Sequence, residues 1–193
     1  MAELVFTVFT SLDSYIEKPG GVFAPPPWSD EVGREWSNRA LSRAKHLLYG
    51  RVNFQFNKSF WSPAETDPNS VAASIPYAGT MNALPKTVLS RTLTGDPGWN
   101  GRVAGPDLAA EVARLKREVT GGDIFAFSGA GLAHALFSAD LVDEFWLMLT
   151  PEFFGDGKRL FREGRPEATM TLVECQRLDV GSVILRYRRA KGG

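Results

Sequence analysis

The chain has 193 residues, 44% of them hydrophobic, which suits one domain with a sizeable core. Lys plus Arg and Asp plus Glu both number 22, so the formal charge is zero and no basic stripe offers itself to nucleic acid. A single cysteine, Cys175, and two histidines, His46 and His134, exclude an internal disulfide and leave zinc without ligands, while short apolar runs and a start without a secretion signal lead us to expect a cytoplasmic protein with no membrane contact.

Leu4 to Thr10, rich in Val, Phe and Thr, reads as a buried strand that ends at Ser11-Leu12-Asp13-Ser14. Lys18 to Trp28, with Gly20-Gly21 and Pro25-Pro26-Pro27, cannot hold a regular helix and reads as a surface loop. Ser29 caps a helix over 29–44, with Asp30 and Glu31 in its first turn and Val32, Trp36, Ala40 and Ala44 along one face. His46 to Tyr49 is a short strand that delivers the chain to Gly50-Arg51 and a helix start. Residues 57–85 read as loop-rich, Lys86 to Ser90 as a strand, and Gly95-Asp96-Pro97-Gly98 as a polar connection.

Asp107 caps the clearest helix, in which Leu108, Val112, Leu115 and Val119 share a face, while Glu111, Arg114, Lys116, Arg117 and Glu118 turn to water. Gly121-Gly122 ends it. Asp123 to Phe127 is a strand running into Ser128-Gly129-Ala130-Gly131 and a short helix marked by Leu132, Ala135, Leu136 and Ala139. Glu144 to Thr150 is a further strand, and Ala168 to Arg189 folds as a hairpin about Leu178-Asp179-Val180-Gly181. Strands alternating with helices and then a hairpin predict an α/β fold, a mixed and mostly parallel sheet flanked by helices, in one domain over 1–193.

Three turns at strand ends carry candidate chemistry. In Ser128-Gly129-Ala130-Gly131 the glycines admit a ligand to the backbone, and the helix behind offers free N–H groups; a tight turn of small residues would look the same. Gly50-Arg51 and Ser90-Arg91-Thr92 pair a strand end with a guanidinium suited to phosphate. Ligands of open α/β sheets gather at the carboxyl ends of strands, so the three turns can converge on one extended anion. Asp13 could bind substrate or relay a proton, or merely cap its turn. Trp28, Phe60 and Trp61 could wall an aromatic pocket, whereas Trp36 belongs to the core stripe. His46 and His134 read as structural, and Cys175 as buried and inert.

Tyr49-Gly50-Arg51-Val52-Asn53-Phe54, Val88-Leu89-Ser90-Arg91 and Ile124 to Leu132 resemble, in order and rough spacing, the NADPH-binding segments of dihydrofolate reductases. Thr10 to Ile16, Leu141-Val142-Asp143-Glu144 and Pro151 to Phe161 resemble the reductase domain of the bacterial bifunctional riboflavin-biosynthesis deaminase-reductase, RibD, and its stand-alone relatives. The resemblance implies a dihydrofolate-reductase-like three-layer fold, without a zinc deaminase half, and NADPH as cofactor. Gly50, Arg51 and Asn53 would then hold the pyrophosphate or adenosine side, Ser90, Arg91 and Thr92 the 2′-phosphate, and Ser128, Gly129, Ala130, Gly131 and Leu132 the pyrophosphate. It further implies hydride transfer to a small pyrimidine or pterin-type substrate, for which Asp13, Trp28, Phe154 and Gly155 are the candidate contacts, in a homodimer. The chain departs from the family pattern at Ser14, usually Gly, at Asn53, usually Thr or Ser, and at Tyr15-Ile16-Glu17, where the riboflavin enzymes place a basic residue for a ribose phosphate. The alternatives are a dihydrofolate or pterin reductase using Asp30, Glu31 or Glu35, a nucleotide-binding protein without turnover, and a flavin protein.

Overall fold

The computed structural model describes residues 1–105, 107–161 and 167–190. The strands are β1 (Leu4–Thr10), β2 (Tyr15–Glu17), β3 (Ala44–Gly50), β4 (Lys86–Leu89), β5 (Gly101–Val103), β6 (Asp123–Phe127), β7 (Glu144–Leu149), β8 (Lys158–Arg159), β9 (Met170–Arg177) and β10 (Val183–Arg189). The helices are α1 (Asp30–Val32), α2 (Arg39–Arg43), α3 (Arg51–Trp61), α4 (Ala78–Ala83), α5 (Leu108–Glu118) and α6 (Ala130–Ser138).

Eight strands form one sheet in the order β5-β4-β3-β6-β1-β7-β10-β9. Neighbours from β5 through β7 run parallel, and β10 is antiparallel to both β7 and β9, which makes the expected hairpin. β1 lies among the central strands with helices over both faces, so its run is buried almost throughout instead of alternating. Leu4, Phe6 and Val8 pack with Val112 and Leu115 of α5 and with Ala130, Ala133 and Leu136 of α6. Val5 packs on the opposite face with Val32, Trp36 and Ala40, Phe54 of α3 and Met81 of α4. This is the mixed, mostly parallel α/β sheet between helical layers that the sequence predicts.

A π-helical stretch, Gly33–Asn38, joins α1 to α2. A strict four-residue repeat overruns an α-helical turn by about 40° per step. The wider π turn absorbs that drift and keeps Val32, Trp36 and Ala40 buried together. Ala44, the last member of the repeat, opens β3 instead.

The structure corrects several expectations. Within 57–85 the chain is largely helical: α3 runs on to Trp61, short 3-10 turns occupy Ser62–Glu65 and Val71–Ser74, and α4 follows. β5 was not foreseen. Glu111 is buried rather than solvated, paired with Arg102 and, at 2.8 Å, with Arg114. Cys175 is exposed, because β9 is an edge strand. No helix among the described residues is long and apolar enough to cross a membrane.

Candidate functional site

The parallel strands bring their carboxyl ends to one edge of the sheet. Gly50 is level with Leu89 across the β3–β4 pair, and Leu48 with Ala126 across β3–β6, so Ser90, Gly50 and Ser128 end adjacent strands. Ser128 is buried, and its Oγ accepts a hydrogen bond from the Gly50 N–H at 3.2 Å. A Cβ on Gly50 would stand 3.0 Å from that oxygen, so a larger residue would press the two turns apart by a few tenths of an ångström. Two of the three sequence-predicted anion turns are thereby in direct contact, and the third is next to them.

The helices behind these turns differ from α1 and α5, and share with the short α2 and α4 the lack of a side-chain cap and of an acidic first turn. Ser29 caps α1 by accepting from the Val32 N–H, and Asp107 caps α5 by accepting from the Ala110 N–H. The caps of α3 and α6 are Gly50 and Gly129; neither has a side chain to offer, and neither helix has an acidic residue in its first turn. Helix starts leave their first N–H groups without an intrahelical partner and carry a positive dipole end. Two such ends open at the Gly50–Ser128 contact, and a Cβ at Gly131 would meet nothing within 4 Å. This donor set fits a diphosphate.

A strap borders the site. β2 pairs with β8, and a Cβ placed on Gly129 would have Asn53 Oδ1, Glu17 Oε1 and Ile16 Cδ1 each at 3.8 Å. Glu17 pairs with Lys158, whose Nζ lies 3.1 Å from that same Oε1. Among the residues around Gly129, Ile16 and Glu17 were not picked out as ligands by sequence. Their signal is spatial: nothing local says that residue 17 returns to residue 129.

Arg91 is exposed, and among the described residues it has no hydrogen-bond or ion-pair partner. Ser90 Oγ accepts from the N–H groups of Thr92, at 3.1 Å, and Leu93, at 2.9 Å, and so shapes the turn that presents Arg91. Arg51 reaches Gln55 at 3.1 Å from the exposed side of α3.

Asp13 is held by three hydrogen bonds. Its oxygens accept from Ser11 Oγ at 2.6 Å, from the Phe154 N–H at 3.1 Å and from the Gly155 N–H at 2.8 Å. The Ser11 hydrogen bond, helped by the two backbone donors, holds its carboxyl down at about 2. It ties the end of β1 to the Phe154-Gly155 turn, which places those expected substrate residues beside it. Trp28 is exposed, with its Nε1 3.8 Å from where a Gly33 Cβ would be, and Phe60 packs edge-on to Trp61 at 4.8 Å. Trp36 is in the core, 5.2 Å from Phe9 and 6.1 Å from Trp146.

Among the candidate acids of the first long helix, Glu31 accepts from the Asp179 N–H at 2.6 Å and Glu35 pairs with Arg34 at 3.0 Å, while Asp30 is exposed. His46 lies at the opposite edge of the sheet, bonded to Thr87 Oγ1 at 2.9 Å. The Nδ1 of His134 is buried without a partner among the described residues. No group of three or more metal-ligating side chains occurs among the described residues.

The fold is that of a dihydrofolate-reductase-like α/β protein. The family model described as RibD C-terminal domain matches residues 2–184, and the chain belongs to that family. It is 25% identical over 184 residues to "Uncharacterized protein YyaP" of Bacillus subtilis (strain 168), covering 95% of this chain and 93% of that one. A Shewanella sp. PV-4 protein assigned by its name to riboflavin biosynthesis superposes with a TM-score of 0.75 at 23% identity, over 99% of this chain and 100% of the other. A Thermotoga maritima diaminohydroxyphosphoribosylaminopyrimidine deaminase/5-amino-6-(5-phosphoribosylamino)uracil reductase gives a TM-score of 0.64 at 13% identity, over 98% of this chain and 57% of the other. The family is reductase-like and acts on small molecules.

Proposed function

We propose that this chain is an NADPH-dependent reductase of a small heterocycle. The observation that carries the reading is the pair of uncapped helix starts, α3 and α6, opening at the Gly50–Ser128 contact in a chain of the RibD C-terminal family. The N–H groups of Arg51, Val52 and Asn53 and of Ala130, Gly131 and Leu132 would bind the pyrophosphate. Arg91, without a partner of its own, would bind the 2′-phosphate on the turn that Ser90 and Thr92 build, and so select NADPH over NADH. The bound cofactor supplies a hydride. Asp13 positions Phe154 and Gly155, and these with Trp28 border the substrate side. A pyrimidine is favoured over a pterin by the likeness to a solved pyrimidine deaminase/reductase.

The test is a titration with NADPH and with NADH, followed by nicotinamide fluorescence, in the wild type and in Arg91→Ala. The reading expects NADPH to bind at least about tenfold more tightly than NADH, and the substitution to remove most of that preference. Absence of binding by either nucleotide would sink it. A homodimer is proposed with it: β9 leaves one edge unpaired and exposes Leu172 and Val173, and sedimentation of the purified protein decides.

A further inference from the structure

One acceptor at the site points away from phosphate chemistry. Glu17 Oε1 comes as close to the Gly129 cap as the oxygen of Asn53 does, at the start of α6. A carboxylate there repels a phosphate and accepts hydrogen bonds from hydroxyls. Its place is fixed on two sides. Lys158 Nζ sits 3.1 and 3.4 Å from its two oxygens, and a Cβ on Gly157 would collide with the Glu17 carbonyl, so the strap's two chains are packed backbone to backbone. The side chain stays about one-fifth exposed, with 21% of its surface open. The β2–β8 pairing accounts for the glycine contact, and the ion pair leaves Oε1 beside the α6 start.

We propose that Glu17 accepts a hydrogen bond from a ribose hydroxyl of the dinucleotide, on the side of the pyrophosphate nearest β2. The inference rests on the reductase reading and deepens it. Phosphate goes to the open N–H groups of α3 and α6, and the sugar that carries the nicotinamide lies under the strap. Lys158 keeps the carboxylate turned toward that sugar and offsets its charge beside the pyrophosphate, which makes Glu17 a specificity residue for a ribosylated ligand.

The experiment crosses one substitution with one ligand change. Affinities of NADPH and of an analogue whose nicotinamide ribose lacks both hydroxyls are measured by fluorescence for the wild type, Glu17→Ala and Glu17→Gln. Adenosine 2′,5′-bisphosphate serves as a control for an intact adenosine side. In the wild type the analogue should bind about tenfold more weakly than NADPH, and in Glu17→Ala the gap should shrink to about twofold. Glu17→Gln, which keeps the shape and one acceptor, should fall between them. An equal gap in all three proteins overturns the role of Glu17 while leaving the reductase reading intact. A wild type that binds neither NADPH nor the bisphosphate overturns the reductase reading, and this inference with it.

Discussion

The two edges of the sheet are built on opposite terms. At the amino-terminal edge, Glu144 is wholly buried and accepts from Arg186 at 2.5 Å, from Arg43 at 3.1 Å and from the Trp146 indole at 2.5 Å. Burial pushes its carboxyl up, and hydrogen bonds from Arg43, Arg186 and Trp146 more than reverse this, leaving it at about 2. On the same edge Lys86 is buried yet satisfied, donating to the carbonyls of Asn82 at 3.0 Å and Leu84 at 2.6 Å, with Trp99 stacked 4.2 Å away. At the carboxyl-terminal edge the donors of α3 and α6 and the guanidinium of Arg91 are left open. One edge commits its polar groups to one another, and the other leaves open the groups that the proposed cofactor would use.

The largest effect expected from breaking this contrast is at Glu144. Glu144→Ala takes the buried carboxylate from Arg43 and Arg186, which keep Asp123 and Glu174 as partners, and should cost about 3 kcal/mol in urea unfolding while leaving NADPH affinity of the folded protein within about twofold. A cost near that of an exposed pair, below about 1 kcal/mol, would show that the network does not anchor the fold.

The pH dependence of stability comes next. Burial, with Arg102 and Lys86 nearby, lowers the pKa of His46 from 6.5 to about 4, so the unfolded chain takes up this proton before the folded one does. Its stabilisation is complete above pH 6.5 and is lost as the pH falls toward 4, up to about 3 kcal/mol. Unfolding of His46→Gln across the same range should lack this limb. Below it, Glu144 and Asp13 add a second loss between their ordinary values of 4.5 and 3.8 and about 2.

Two smaller changes sharpen the other edge. Gly50→Ala forces a Cβ against Ser128 Oγ, and should cost about 1 kcal/mol together with about tenfold in NADPH affinity. Gly129→Ser supplies α6 with the cap that it lacks. It should raise stability by a few tenths of a kcal/mol, at about 0.3, and weaken NADPH, because the added oxygen competes for the N–H groups that the cofactor would use. A stabilised variant with unchanged affinity would separate the α6 start from the cofactor.

Much of this architecture was legible in the sequence. β1 and β6 fall at their expected bounds, α5 follows Asp107, and the last two strands form the expected hairpin, because in each case local pattern and tertiary burial agree. The misses share one cause, dependence on distant partners. β5 is three residues that exist as a strand only by pairing with β4. Glu111 looked like an exposed helix charge until Arg102, from that same edge strand, was laid over it. α3 outlasts its expected end because Trp61 Nε1 is held by Asn57 Oδ1 at 3.1 Å, and Trp61 packs on Tyr77 at 5.6 Å. Of the candidate site, the glycine turns were readable from spacing, but that Asp13 is locked by residues 154 and 155, and that Glu17 arrives at Gly129, are facts of contact between segments more than 100 residues apart.

The central claim is that an anion-bearing dinucleotide seats on the two open helix starts. Backbone amide NMR shifts recorded as NADPH is added test it most directly. The account predicts that Arg51, Val52 and Asn53 and Ala130, Gly131 and Leu132 shift together, with Arg91, while Glu144, His46 and Lys86 hold still. Shifts gathered at the His46 and Lys86 edge, with the α3 and α6 starts silent, would contradict it.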